Sequence, residues 1–135
     1  MATKIYVNLP VKDLQRSVRF FQAMGFGLNP LFSDETAICM AVSDEIFAML
    51  LTEAKFREIT RRPIADTTRM TEILICLSVE SRTRVNQLVD RALAQGGREV
   101  REPENHGFMY GRSFSDLDGH IWEIIYMDQA ALDRA

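Results

Sequence analysis

Residues 3–25, TKIYVNLPVKDLQRSVRFFQAMG, decide the fold, because they read as a strand that is followed at once by a helix. Apolar residues alternate along the first part, as in a half-buried strand: Ile5, Val7, Leu9 and Val11. Asp13 then stands at an N-cap position, apolar residues recur at helical spacing, and Gly25 is placed to end the helix. The stretch predicts a β-α unit.

Residues 71–97, TEILICLSVESRTRVNQLVDRALAQGG, repeat this order. The strand alternates in the same way, and Ser81 takes the N-cap position. The helix carries an amphipathic stripe: Val85, Leu88, Val89, Ala92 and Leu93. A shift of 68 residues lays Ile5 on Ile73, so the chain reads as a doubled unit.

Short strands are expected after each β-α unit, at residues 26–32, 36–42 and 46–52 and at residues 98–101, 108–114 and 121–127. A shift of 75 residues lays Ile46 on Ile121, and therefore Ala48 on Glu123. Each half thus has the order βαβββ.

The two halves predict an α+β fold in which two tandem βαβββ modules form a curled mixed sheet around a cavity. We expect a single domain over 1–135, with module 1 at about 3–52, a linker at 53–69 and module 2 at about 70–128. The linker begins as a short helix that Pro63 breaks, and the polar tail 128–135 adds a last helical turn.

Composition limits the classes of function. With 16 basic and 19 acidic residues the net charge is −3, which argues against a nucleic-acid partner. No apolar run is long enough to cross a membrane, and the N-terminal residues lack a secretory signal, so a cytoplasmic protein is expected. Cys39 and Cys76 lie in apolar runs and are predicted to be buried free thiols.

Two stretches carry a resemblance to a known family. Leu9-Pro10-Val11-Lys12-Asp13-Leu14, followed by Ser17 and Phe20-Phe21, is similar to the entry strand and first helix of the vicinal oxygen chelate superfamily, which includes glyoxalase I, bleomycin-resistance proteins and extradiol dioxygenases. Ser115-Asp116-Leu117-Asp118-Gly119-His120-Ile121-Trp122-Glu123 resembles its final hairpin and strand. The resemblance spans almost the whole chain and implies homodimers.

In metal-dependent members of that family, four side chains from the first and last strands of each half hold one divalent ion. The resemblance implies that the four ligand positions correspond in this sequence to Tyr6, Leu74, Ala48 and Glu123. Only Glu123 is a good ligand, and a stable site needs three or four. A divalent metal is therefore not favoured, although His106 or His120 could replace missing ligands.

The candidate catalytic residues are Glu123 as base, with His106 or Tyr110 as acid. A carboxylate among apolar neighbours is costly to bury unless it is paired. The alternatives for Glu123 are an ion pair with an arginine such as Arg112 on the neighbouring strand, or exposure at an open rim. Those for the histidines are an exposed His106 in a surface loop and a solvated His120 in the turn.

Candidate ligand-binding residues are those that strand alternation places on the cavity side, those with a large aromatic side chain and one with a positive charge. They are Tyr6, Asn8, Leu74, Cys76, Phe108, Arg112 and Trp122. Two functions stay open. One is a glyoxalase-like lyase or isomerase that acts on a small carbonyl or thiol-conjugate substrate with a degraded metal site. The other is a metal-free protein that binds, or gives resistance to, an antibiotic or aromatic compound.

Overall fold

The computed structural model describes residues 3–133, except for the side chain of Leu132. Its helices and strands, in chain order, are β1 (Ile5–Val11), α1 (Leu14–Ala23), β2 (Gly27–Asn29), β3 (Ala37–Ala41), β4 (Ile46–Thr52), α2 (Glu53–Thr60), β5 (Leu74–Ser78), α3 (Arg82–Ala94), β6 (Arg98–Glu99), β7 (Glu104–Asn105), β8 (Met109–Ser115), β9 (Ile121–Met127) and α4 (Gln129–Asp133). The fold is α+β, with two mixed sheets that are curled but not closed.

The chain divides into two compact units between Asp66 and Thr67. In the first unit the strand order is β1-β4-β3-β2, with β1 parallel to β4 and the other pairs antiparallel. The side chain of Asp13 accepts a hydrogen bond from the backbone N–H of Arg16 and so caps α1. One face of α1 is buried against β3 and β4.

In the second unit the strand order is β5-β9-β8-β6, and β7 also pairs with β8. Here β5 is parallel to β9, as β1 is to β4. Ser81 caps α3, whose buried residues pack on β8 and β9: Val85, Leu88, Val89 and Ala92. The expected tandem βαβββ order is confirmed, with β7 as an additional short strand.

The bounds of β4 and β9 agree with the expectation, but the strand expected at 26–32 ends at Asn29. Pro30 begins a 3-10 helix there, and the Asn29 side chain accepts a hydrogen bond from Leu31 N–H at 3.1 Å. Proline has no N–H to give to a ladder, so the strand cannot continue through it. The sequence does not predict β7, because its two residues are both polar and show no apolar alternation.

The linker begins as the helix α2, as predicted, and ends at Arg61 in the left-handed conformation. The tail forms α4, and residues 134–135 of the predicted tail lie outside the described residues. Within residues 3–133, no helix is both long and apolar enough to cross a membrane.

The register of the two parallel ladders corrects the internal alignment. Asn8 pairs with Met49 in the first unit, and Cys76 pairs with Glu123 in the second. Since Asn8 and Cys76 are equivalent under the shift of 68, Met49 is the counterpart of Glu123. The predicted equivalence with Ala48 is wrong by one residue, and such a slip moves a side chain to the other face of the sheet. Ala48 is buried at 3% exposure.

Candidate functional site

The sheet of the second unit has two unlike faces. Helix α3 covers one face, where the side chains of Ile75, Leu77, Phe114, Trp122 and Ile124 are buried. Because side chains alternate along a strand, the other face carries the residues between them. We call this the open face, and its members on the three long strands are Leu74, Cys76, Ser78, Met109, Gly111, Ser113, Ser115, Ile121, Glu123, Ile125 and Met127.

Glu123 is the acidic residue of the open face. It pairs with Cys76 on β5 and with Ser113 on β8, in the middle of the sheet. Its side chain is 19% exposed and accepts a 2.8 Å hydrogen bond from Nη1 of Arg101. The carboxylate is therefore paired with a guanidinium, which lowers the cost of placing it between apolar neighbours.

Arg101 links Glu123 to two further polar side chains. Its Nε donates to Glu104 Oε1 at 2.7 Å, and Glu104 Oε2 lies 3.1 Å from Nε2 of His106. The hydrogen bond with His106 and the bonds and charge of Arg101 lower the pKa of Glu104 below its usual value. The result is a continuous chain of four groups, Glu123–Arg101–Glu104–His106.

Two more groups of the open face stand beside Glu123. The Ser113 hydroxyl is buried and has no hydrogen-bond partner among the described residues. Cys76 is a free, exposed thiol, so the expectation that it is buried is wrong, whereas Cys39 is buried as expected. Partial desolvation, and then the charge of Glu123, raise the pKa of the Cys76 thiol.

The structure places three of the predicted site residues on the opposite face. Tyr110 donates a 2.8 Å hydrogen bond to Asn86 on α3, and Trp122 is 1% exposed. Arg112 donates to Asp90 at 2.9 Å and does not pair with Glu123, although Glu123 does have the arginine partner that one alternative expected. Arg101 takes that place.

His106 is exposed in its loop, and its side chain reaches Glu123 only through Glu104 and Arg101. Phe108 follows it and is also exposed. Leu74 lies on the open face with 56% exposure. Tyr6 and Asn8 lie on the first unit's sheet, where the Tyr6 ring stacks on Phe47 with 4.7 Å between centroids.

His120 is buried at 1% exposure, which corrects the expectation of a solvated turn residue. Its Nδ1 lies 3.0 Å from Glu72 Oε1, and its backbone N–H donates to Asp116. Asp116 also accepts from Trp122 Nε1 at 3.0 Å. Burial raises the pKa of Asp116, although the charge of His120 and the hydrogen bond from Trp122 oppose the shift. These contacts fix the hairpin that sets the position of Glu123.

The residues present do not fit the divalent metal that the family resemblance implies. The corrected positions are Tyr6, Met49, Leu74 and Glu123, and only the last is a strong ligand. Across the described part of the chain, no three His, Cys, Asp or Glu side chains are grouped to hold an ion. His120 is engaged with Glu72 and does not supply the missing ligand.

Sequence reasoning missed Arg101, Glu104 and Ser113. Ser113 could have been found, because the Asp118-Gly119 turn fixes the register of the hairpin and places residue 113 opposite Glu123. No local pattern joins Arg101 to Glu123, which lies 22 residues further along the chain.

The model of the Glyoxalase/Bleomycin resistance protein/Dioxygenase superfamily matches residues 5–124. No curated protein matches the chain.

Several solved structures are similar to the chain. A hypothetical protein from S. aureus is 28% identical, with 93% of this chain and 94% of that chain covered and a TM-score of 0.79. A family enzyme from Burkholderia phytofirmans is 17% identical, with 93% and 99% covered and a TM-score of 0.78. The fosfomycin resistance protein FosX from Mesorhizobium loti is 12% identical, with 98% of each chain covered and a TM-score of 0.69.

At such low identity the latter two structures show the fold alone. The family model, however, covers most of the chain, from β1 to β9. The chain therefore belongs to the Glyoxalase/Bleomycin resistance protein/Dioxygenase superfamily.

Proposed function

We propose that the protein binds a small organic molecule without a metal ion, on the open face of the second sheet, with Glu123 as the charged anchor. The observation that carries this proposal is the Glu123 carboxylate itself. It is 19% exposed, lies in the middle of the sheet and pairs with the guanidinium of Arg101. A binding site of this kind combines apolar area with a few placed polar groups.

The open face supplies both components. Leu74, 56% exposed, and the half-buried Ile121 and Ile125 offer apolar area around Glu123. The Ser113 hydroxyl offers a hydrogen bond. Because the metal-ligand positions do not fit, the donor set favours binding over metal-dependent lyase or isomerase chemistry.

The test uses Cys76 as a reporter of position. Purified protein is screened against cationic, neutral and anionic aromatic compounds for a rise in melting temperature and for slower alkylation of Cys76. A compound bound on the open face should shield Cys76 from the alkylating reagent. The buried Cys39 is the internal reference for the alkylation rate. Trp122 fluorescence is a poor reporter, since the indole lies on the opposite face.

Glu123→Gln should abolish both effects, and Glu99→Gln is the matched control. Glu99 also pairs with an arginine, Arg112, but on the other side of the sheet. A panel in which nothing shields Cys76 would contradict the proposal. Turnover of a carbonyl or thiol-conjugate substrate that Glu123→Gln abolishes would instead support a glyoxalase-like enzyme.

We also propose that the chain acts as a cytoplasmic homodimer. Exposed apolar side chains on the first unit, with Leu31 at 86% and Phe32 at 58%, favour a protein partner. Light scattering should give twice the chain mass of 15.5 kDa, and a value equal to the chain mass would contradict the dimer.

A further inference from the structure

The side chain of Arg101 lies across the open face. Val100 N–H donates to Ser113 O at 3.4 Å, so this segment runs beside β8, on the side away from β9. The guanidinium nevertheless meets Glu123 on β9 at 2.8 Å. Since Glu123 belongs to the open face, the arginine must pass over β8 on that face to reach it. Arg101 therefore occupies the surface that the proposed ligand needs.

The charges around Arg101 do not balance. One guanidinium is shared by two carboxylates, those of Glu123 and Glu104. With Arg101 in place these three groups carry a net charge of −1, and without it the two carboxylates carry −2. The site consequently attracts a cation and repels an anion.

The arginine is the partner that can move. Its side chain is 46% exposed, against 19% for Glu123, and its backbone lies between β6 and β7, outside any strand. Glu123 is fixed within β9, between two neighbouring strands. Because the arginine side of the pair is open to solvent, salt screens the pair and a competing cation can replace the arginine.

A second observation points to a ligand at the same place. The Ser113 hydroxyl, in a residue only 1% exposed, has no partner within the described part of the chain and belongs to the position directly opposite Glu123. A buried hydroxyl without a partner is unusual and calls for an explanation. A ligand head group that donates two hydrogen bonds would satisfy both the carboxylate and this hydroxyl.

From these observations we propose that Arg101 is an internal occupant of the binding site, and that the true ligand is an organic cation with a planar guanidinium or amidinium head and an apolar body. The ligand displaces the Arg101 guanidinium from Glu123 and sets its apolar part against Leu74, Ile121 and Ile125. This inference rests on the proposed function and names its ligand class.

The experiment compares three molecules of the same shape and different charge: benzamidine, benzamide and benzoate. Each is titrated into the wild-type chain, Arg101→Ala and the double variant Arg101→Ala/Glu123→Gln. Binding is followed by calorimetry and by protection of Cys76. Benzamidine should bind Arg101→Ala about tenfold more tightly than wild type, because the internal competitor is gone. The double variant should lose this binding, and the other two compounds should gain nothing.

Arg84→Ala is the matched control, since its guanidinium contacts Gln87 on α3 and should leave benzamidine binding unchanged. Circular dichroism checks folding, and Arg101→Gln replaces Arg101→Ala if the latter does not fold. Equal benzamidine affinity in wild type and Arg101→Ala, or preference for benzoate, would overturn the inference.

The two proposals fail in different ways. Suppose another compound shields Cys76 in the wild-type chain but benzamidine binds no better than benzamide. The inference about Arg101 is then wrong while the proposed function stands. If no compound shields Cys76 in any folded variant, both proposals are wrong.

Discussion

Cys76 and Glu123 occupy directly paired positions on β5 and β9, with both side chains on the face turned away from α3. Desolvation and the Glu123 charge together raise the pKa of the thiol. This pair connects a reactive, observable group to the carboxylate that anchors the proposed site.

The first prediction concerns the reactivity of that thiol. Glu123→Gln removes a negative charge, lowers the pKa of Cys76 and increases its thiolate fraction at a given pH. We expect faster alkylation of Cys76 near pH 8, with the rate–pH profile moved to lower pH. Mass spectrometry of iodoacetamide-treated protein measures the rate. Glu99→Gln should leave the rate unchanged, and an equal rate in Glu123→Gln would show that the charge does not act on the thiol.

The second prediction tests the close approach of Gly119 to Thr67. Gly119 has a φ of +87°, and a Cβ added there would lie 2.7 Å from the Thr67 carbonyl oxygen. Gly119→Ala therefore combines a left-handed backbone with a steric clash. Gly107→Ala is a matched control, because Gly107 has a φ of +80° and no atom within 4 Å of an added Cβ.

We expect the control to lose about 1–3 kcal/mol of unfolding free energy, and Gly119→Ala to lose more. Urea denaturation measures both values. Equal losses in the two variants would mean that the backbone at Thr67 moves away from the added methyl group without a loss of stability. That result would contradict a close contact between Gly119 and Thr67.

The third prediction concerns the hydrogen bond between Trp122 and Asp116. Trp122 Nε1 donates to Asp116 Oδ2 at 3.0 Å in a buried site. Trp122→Phe keeps an aromatic side chain but removes the donor and part of the buried ring system, and should lower the unfolding free energy by about 1–3 kcal/mol. In an Asp116→Asn background the same change should cost less, because the Asn oxygen stays with the backbone N–H groups of Asp118 and His120 and its NH2 group cannot accept from Trp122 Nε1. Additive losses in the double variant would show that the two side chains are not coupled.

The fourth prediction separates stability from binding at Ser113. Ser113→Ala removes a buried hydroxyl that has no partner among residues 3–133, so the unfolding free energy should stay the same or rise by up to about 1 kcal/mol. If the hydroxyl meets a ligand, the same variant should bind that ligand less tightly. Thermal melting with and without ligand measures both. A clear loss of stability in the unliganded variant would mean that the hydroxyl already has a partner.

The local pattern of apolar and capping residues was sufficient to predict most of the helices and strands. The strands at 46–52 and 121–127 agree with their predicted bounds, and Asp13 and Ser81 cap the two helices as expected. Capping and periodicity depend on residues that are close in the chain, so they can be read from sequence. The one-residue error at Ala48 arose because residues 46–51 are a continuous apolar run, in which no alternation marks which face each residue takes.

The candidate site was predictable only in part. Strand alternation predicts that Glu123 and Cys76 lie on the same face of the sheet, but it does not predict the ion-pair partner of Glu123. Arg112 is nearer to Glu123 in sequence than Arg101, yet its strand parity directs it to Asp90 on α3. His120 follows a turn and reads as solvated, whereas contacts with Glu72 and Asp116 bury it.

By itself, the sequence determined that this chain is a doubled βαβββ unit of a known superfamily with a single strong acidic residue at the expected metal-ligand positions. Only the tertiary structure decided which cation holds that carboxylate, which face each side chain takes and which groups stand beside it. The physical reason is that periodicity is a property of neighbouring residues. Register and ion pairing depend instead on how distant segments come together when the sheet forms.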